Sequence, residues 1–166
     1  MKPSENDMKV ALATPPDTAT LLDLDKQLCF PLYAASRLLT RIYQPLLERY
    51  GLTYPQYIVL MILWEKTPCS VTEIGERALL NSNTLTPLLK RLEQQGVITR
   101  TRDSGDERVV MIALTEHGRA LKSKCACIPT EMQKRLGFDP DKAIALKQLL
   151  DEFLRHLRAH ASDHLA

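Results

Sequence analysis

The feature that most constrains this chain is a change of hydrophobic spacing between residues 70 and 114. Val71, Ile74 and Ala78 follow Ser70 at helical steps, and Leu85, Leu88, Leu89 and Leu92 repeat at i, i+3, i+4 and i+7. The stretches "VITRTR" (97–102) and "RVVMIAL" (108–114) then flank "DSGDE", a polar turn containing glycine, as a hairpin requires. Ser70 with Glu73, three residues on, has capping-box spacing, and Gly96 closes the longer helix.

A short capped helix, a tight turn, a longer amphipathic helix and a hairpin make a winged helix-turn-helix. In that motif the second helix enters the major groove and presents small polar or cationic residues on its outer face. The leucines of the helix from Ser82 take one face and leave Ser82, Asn83, Thr84, Thr86, Lys90 and Arg91 away from the core. Hydroxyls and a helix N-terminus suit phosphate oxygens, and Asn83 suits an adenine edge. Lys90 and Arg91, later on the helix, are placed to hold backbone phosphate. Arg100, Arg102 and Arg108 cluster on the hairpin, where an arginine can enter a narrow minor groove. Arg102, beside Asp103, reads equally well as a plain surface residue. A helical hairpin packed on a small sheet with solvated charges would share the polar outer face, but the order and spacing of the elements favour double-stranded DNA.

The remaining chain reads as helices. Residues 1–20 mix polar residues with three prolines and form a loose tail. From about Asp25, Leu32, Ala35, Leu39, Ile42 and Leu46 mark one apolar face; Pro31 fits only a first turn or a kink, Pro45 should bend the helix near its end, and Gly51 stops it. A helix capped by Thr53 and Gln56 is apolar on nearly every side through Trp64. "TEHG" caps a fifth helix running towards Pro129. A sixth starts at Asp139 and Pro140, with a stripe of Leu146, Leu150, Phe153 and Leu157. The expected organisation is a tail over 1–20 and one domain over 21–166. Its winged helix-turn-helix spans about 53–115, and dimerisation helices span about 24–50 and 116–160.

Composition sets limits. With 166 residues, 45% hydrophobic and 25% charged, the chain has the make-up of one globular domain. A net charge of +2 is too small to indicate nucleic acid or membrane by itself, so the basic surface must be local: Ser82 to Arg102 holds four basic residues and one acidic. No apolar run reaches a membrane span and the N-terminus has no secretory core, which points to the cytoplasm and to reduced thiols. Cys29, Cys69, Cys125 and Cys127 form no paired metal motif, and no cofactor or metal is expected.

"LTYPQYIVLMILWE", "SVTEIGE", "LTPLLKRLEQQGVITRTR" and "DERVVMIALTEHG" resemble the MarR family of dimeric transcription regulators, over about residues 24 to 158. The "DER" of 106–108 falls where that family carries its wing-tip arginine. Within it, "QLCFPLY", "IYQPLL" and "LTYPQY" are similar to the organic hydroperoxide resistance regulators, the OhrR group. The resemblance implies a homodimeric repressor that binds a near-palindromic operator when reduced and releases it when an organic hydroperoxide oxidises one cysteine. It makes Cys29 the sensing cysteine and Tyr43 and Tyr54 its hydrogen-bonding tyrosines, with Tyr33 on a further tyrosine position. Some members supply a resolving thiol from the partner's fifth-helix region; the aligned position lies near Lys134, so Cys125, Cys127 or a low-molecular-weight thiol could supply it here. Cys69 reads as structural.

Spacing adds an argument of its own. On one straight helix Cys29 and Tyr43 are 14 residues apart, or roughly 21 Å at ~1.5 Å per residue. A site containing both needs two chains. Three rivals remain: a MarR-type repressor released by a small aromatic ligand in the dimer cleft with Cys29 as lining, a purely structural helical scaffold, and a thiol peroxidase. The scaffold leaves the tyrosine spacing unexplained. The peroxidase is disfavoured because no Thr/Pro/Arg constellation surrounds the cysteine and the winged motif would have no purpose, so no enzyme activity is expected.

Overall fold

The computed structural model describes residues 22–161; the expected loose tail lies outside the described residues. By compactness the chain divides between Pro45 and Leu46.

The first part opens with a 3-10 turn at Leu24–Lys26, followed by α1, Cys29–Leu47. The helix therefore begins four residues later than the apolar pattern suggested. Pro31 is the reason for its position: the ring is accepted in the first turn, where no intrahelical N–H bond is lost. Only Leu46 and Leu47 of this 19-residue helix are buried. Pro45 sits inside it, and after Leu47 the helix tightens into a second 3-10 turn, Glu48–Tyr50. Gly51 ends that turn in the left-handed region at φ +66°.

From Leu46 onward the core forms around α2, Tyr54–Glu65. Gln56 accepts from the Thr53 N–H at 2.8 Å and so caps the helix as its spacing indicates. Tyr57, Val59, Leu60, Ile62 and Leu63 are all buried, consistent with a helix covered by neighbours all round. Next come β1 (Cys69–Ser70), α3 (Val71–Ala78), α4 (Ser82–Gln94), β2 (Ile98–Arg102) and β3 (Val110–Leu114). β2 and β3 form the expected antiparallel hairpin, with Ile98 opposite Leu114 and Arg102 opposite Val110. β1 adds a third strand by pairing Cys69 with Ile112, giving the order β1-β3-β2. Two residues carry no periodicity, so this strand had no sequence signal. Among the described residues the fold is mainly helical with a small winged sheet, as expected.

The base of the wing is tied tightly to the helices. Thr115 caps α5 (Glu116–Cys125) by accepting from the Gly118 N–H at 3.0 Å, and its hydroxyl donates to the Gly96 carbonyl at 2.6 Å. A Cβ on Gly118 would stand 2.1 Å from the Val97 carbonyl oxygen, so only glycine permits this approach. The Trp64 indole donates to the Gly118 carbonyl at 2.9 Å, and Lys122 donates to the Trp64 carbonyl at 3.0 Å.

The expected fifth helix is two helices. α5 stops at Cys125, and Pro129 lies not at its far limit but in the first turn of α6, Ile128–Leu136. The last helix, α7 (Pro140–Ala161), starts with Pro140 in its first turn, and Asp139 accepts from the Lys142 N–H at 3.0 Å. None of the side chains from Pro140 to His160 is buried: Leu150 and Phe153 are half-buried, and Ile144, Leu146, Leu149, Leu154 and Leu157 are exposed.

Candidate DNA-reading face and sensor thiol

Asn81 caps the helix that carries the polar outer face: its side chain accepts from the Thr84 N–H at 3.0 Å. Ser82 is then the first helical residue of α4. Leu85, Leu88, Leu89 and Leu92 are buried, which fixes the rotation of the helix and leaves Ser82, Asn83, Thr84, Thr86, Lys90 and Arg91 exposed together. Each residue expected to face DNA on α4 thus faces solvent.

On the wing, Arg108 is exposed beside the turn, and Arg100 is half-buried on β2. One Arg100 terminal nitrogen lies 3.9 Å from a Glu93 carboxylate oxygen, a loose pair, and its buried Nε has no partner. Arg102 is exposed at the end of β2. A cleft of about 280 Å³ runs between the wing and the helices, lined by Ser70, Val71, Thr72, Thr86, Arg100, Arg108, Val109 and Val110. Two guanidinium groups and three hydroxyls on one concave surface suit a phosphate oxygen. The start of α3 contributes less charge than its position suggests. Glu73 already accepts from the Ser70 N–H at 2.7 Å and from Lys66 at 2.8 Å. The Lys66 ammonium and the Ser70 donors hold the Glu73 carboxyl down to about 2. The positive field of the cleft therefore comes from the arginines. No periodicity marks Ser70 and Thr72 as cleft residues; the available signal is a serine cap followed two residues later by a threonine.

Cys29 is the first residue of α1 and is exposed, as is Tyr33 one turn on. Because α1 is unbroken from Cys29 to Leu47, Tyr43 stands about 21 Å along the helix from Cys29 at ~1.5 Å per residue. Tyr54 opens α2 in the second part of the chain, and burial pushes its phenol upward.

The other three thiols have different surroundings. Cys69 is buried and donates to the Lys66 carbonyl at 3.0 Å, and burial pushes its thiol up, as befits a structural residue. Cys125, the last residue of α5, is buried, and burial with the neighbouring Cys127 pushes it up to about 11. Burial sets Cys125 apart from the exposed Cys127, the other thiol expected as a possible resolver. Cys127 is exposed. The Tyr50 hydroxyl donates to the Lys124 carbonyl at 2.8 Å and lies 3.7 Å from the Cys127 sulfur. The Cys127 thiol in turn donates to the same Lys124 carbonyl at 3.6 Å. The Cys127 hydrogen bond, then burial, push the Tyr50 phenol upward. Tyr50 is 77 residues from Cys127, and no sequence pattern links the two.

Comparison with known proteins agrees with this arrangement. The family described as Transcriptional regulator SarA/Rot matches residues 41–125. The organic hydroperoxide resistance transcriptional regulator of Bacillus subtilis is 50% identical over 128 residues, covering 77% of this chain and 85% of that protein. Among solved structures, AbfR of Staphylococcus epidermidis is 36% identical with a TM-score of 0.70, covering 85% of this chain and 97% of that one. Overoxidized AbfR bound to DNA is 38% identical with a TM-score of 0.68, over 85% and 99% of the two chains. The disulfide form of AbfR gives a TM-score of 0.55 at 35% identity, over 87% and 96%. The chain belongs to the MarR-type winged-helix regulators of transcription, in the organic hydroperoxide resistance group. DNA binding and transcription regulation are therefore its business.

Proposed function

We propose that the protein is a cytoplasmic, homodimeric repressor that holds a near-palindromic operator while Cys29 is reduced and releases it when an organic hydroperoxide oxidises that thiol. The observation that carries this reading is Cys29 itself: an exposed thiol opening a long helix, in a chain half identical to a hydroperoxide resistance regulator. The thiolate is the attacking form. Its sulfur attacks one peroxide oxygen; the S–O bond forms, the O–O bond breaks, and the alcohol leaves with a proton. The resulting sulfenic acid then takes a second thiol, forming a disulfide and releasing water.

Tyr43 cannot serve the Cys29 of its own chain over 21 Å of helix, so Tyr43 and Tyr54 of a second copy are assigned to hydrogen-bond the sulfur. The exposed apolar face of α7 and the sparsely buried α1 support pairing of two chains. In such a dimer the two α4 helices read half-sites about one DNA turn, roughly 34 Å, apart. Ser82, Asn83, Thr84 and Thr86 meet the groove, Lys90, Arg91 and Arg100 hold phosphate, and Arg108 enters the minor groove. AbfR is known bound to DNA in an overoxidized form and, separately, with a disulfide formed; the disulfide is taken here as the releasing state. Exposed Cys127 or a low-molecular-weight thiol supplies the second sulfur, and the reaction is stoichiometric rather than a turnover.

The test is operator binding by wild type and Cys29→Ser, before and after treatment with cumene hydroperoxide. Release of the wild type alone, with a mass gain on Cys29 matching a disulfide, supports the proposal. Release of both proteins, or of neither, removes Cys29 as the sensor and turns attention to a small aromatic ligand.

A further inference from the structure

His156 and His160 lie one turn apart near the end of α7, both exposed, and neither takes part in the DNA-reading face or the thiol chemistry. Residues at i and i+4 are neighbours on a helix surface. Here the two imidazole rings are 4.1 Å apart between centroids and inclined by 35°. The His160 Nδ1 stands 2.8 Å from the His156 carbonyl oxygen. A carbonyl can only accept, so Nδ1 carries the proton and the lone pair of neutral His160 is left on Nε2, at the outer edge of the ring. A backbone carbonyl holding one ring nitrogen in this way is the arrangement that orients a metal-ligating imidazole.

We propose that His156 and His160 form a two-point surface site for a divalent first-row transition metal, with water completing the coordination. Imidazole nitrogen suits zinc, copper and nickel, whereas magnesium and calcium require oxygen donors. Among the described residues no group of three or more His, Cys, Asp or Glu side chains is placed to hold a metal. With two imidazoles as its donors among the described residues, the site exchanges its metal readily and follows the order in which nickel and copper bind above manganese and iron. Two imidazoles stacked on each other without metal are the competing arrangement.

The test is calorimetric titration of untagged, reduced full-length protein with Ni²⁺ alone at neutral pH. Wild type is compared with His156→Ala, His160→Ala and the double variant, with His117→Ala on α5 as control. Alanine at an exposed helix position is well tolerated, and circular dichroism checks that each variant is folded. The expected result is one saturable Ni²⁺ site per chain, weakened at least tenfold by either single α7 substitution and unchanged by His117→Ala, with no heat from Mg²⁺. No saturable binding by wild type, or an isotherm that survives in the double variant, overturns the proposal.

Discussion

At the scale of single residues, the four cysteines are sorted by burial, and their chemistry should follow. Cys29 and Cys127 are exposed, while Cys69 and Cys125 are buried with burial pushing both thiols up. A thiol-specific chromogenic reagent should titrate two sulfurs per chain quickly, with the other two reacting only on unfolding. Cys29→Ser and Cys127→Ser should each remove one fast equivalent; loss of a slow one instead would refute the assignment. Arg100 offers a second case. Its half-buried guanidinium lines the cleft with Thr72 and Thr86 and is only loosely paired at 3.9 Å. Arg100→Ala should weaken operator and unrelated DNA alike, reducing the slope of log affinity against log salt by about one. A change confined to one base-pair preference would show that Arg100 reads sequence.

At the scale of elements, the capped helices and the hairpin were legible because their signals are local. Ser70 with Glu73, Thr53 with Gln56, and the two apolar runs around "DSGDE" each fix structure within a few residues. What escaped depends on the rest of the molecule. β1 is two residues long and exists only because β3 pairs with it. α6 was hidden because Pro129 reads as a stop until the chain is known to restart there. Of the candidate site, the rotation of α4 was readable from its leucines. The contribution of Ser70 and Thr72, the burial of Cys125 and the Tyr50–Cys127 contact were not, since they join elements far apart in sequence. Gly118→Ala forces a Cβ to 2.1 Å from the Val97 carbonyl and should lower stability by about 3 kcal/mol or more, measured by urea unfolding. Glu73 gives a pH signature. Its folded-state value, about 2, lies below the ordinary 4.5, so its contribution is full above about pH 5 and fades as pH falls towards 2. The melting temperature of Glu73→Gln should lie below wild type at pH 7 and converge with it near pH 2; a constant gap would refute the linkage.

At the scale of the whole molecule, stability and assembly should separate. The core around α2 is complete within the chain, whereas α7 has no buried side chain among residues 140–160. Leu149→Glu with Leu157→Glu should therefore leave helix content nearly unchanged while light scattering reports a monomer. Operator affinity should fall at least a hundredfold, because one winged unit reads only half a site. A dimer that survives both substitutions would move the interface elsewhere.

α1 buries only Leu46 and Leu47. In the proposed dimer this makes protein abundance a setting of the sensor. Below the dissociation constant of the pair, the Cys29 sulfur has the reactivity of a thiol on a solvated helix; above it, the same atom acquires tyrosines and an apolar wall. A cell could thus tune how much peroxide it tolerates by how many copies of the chain it makes, without changing a residue.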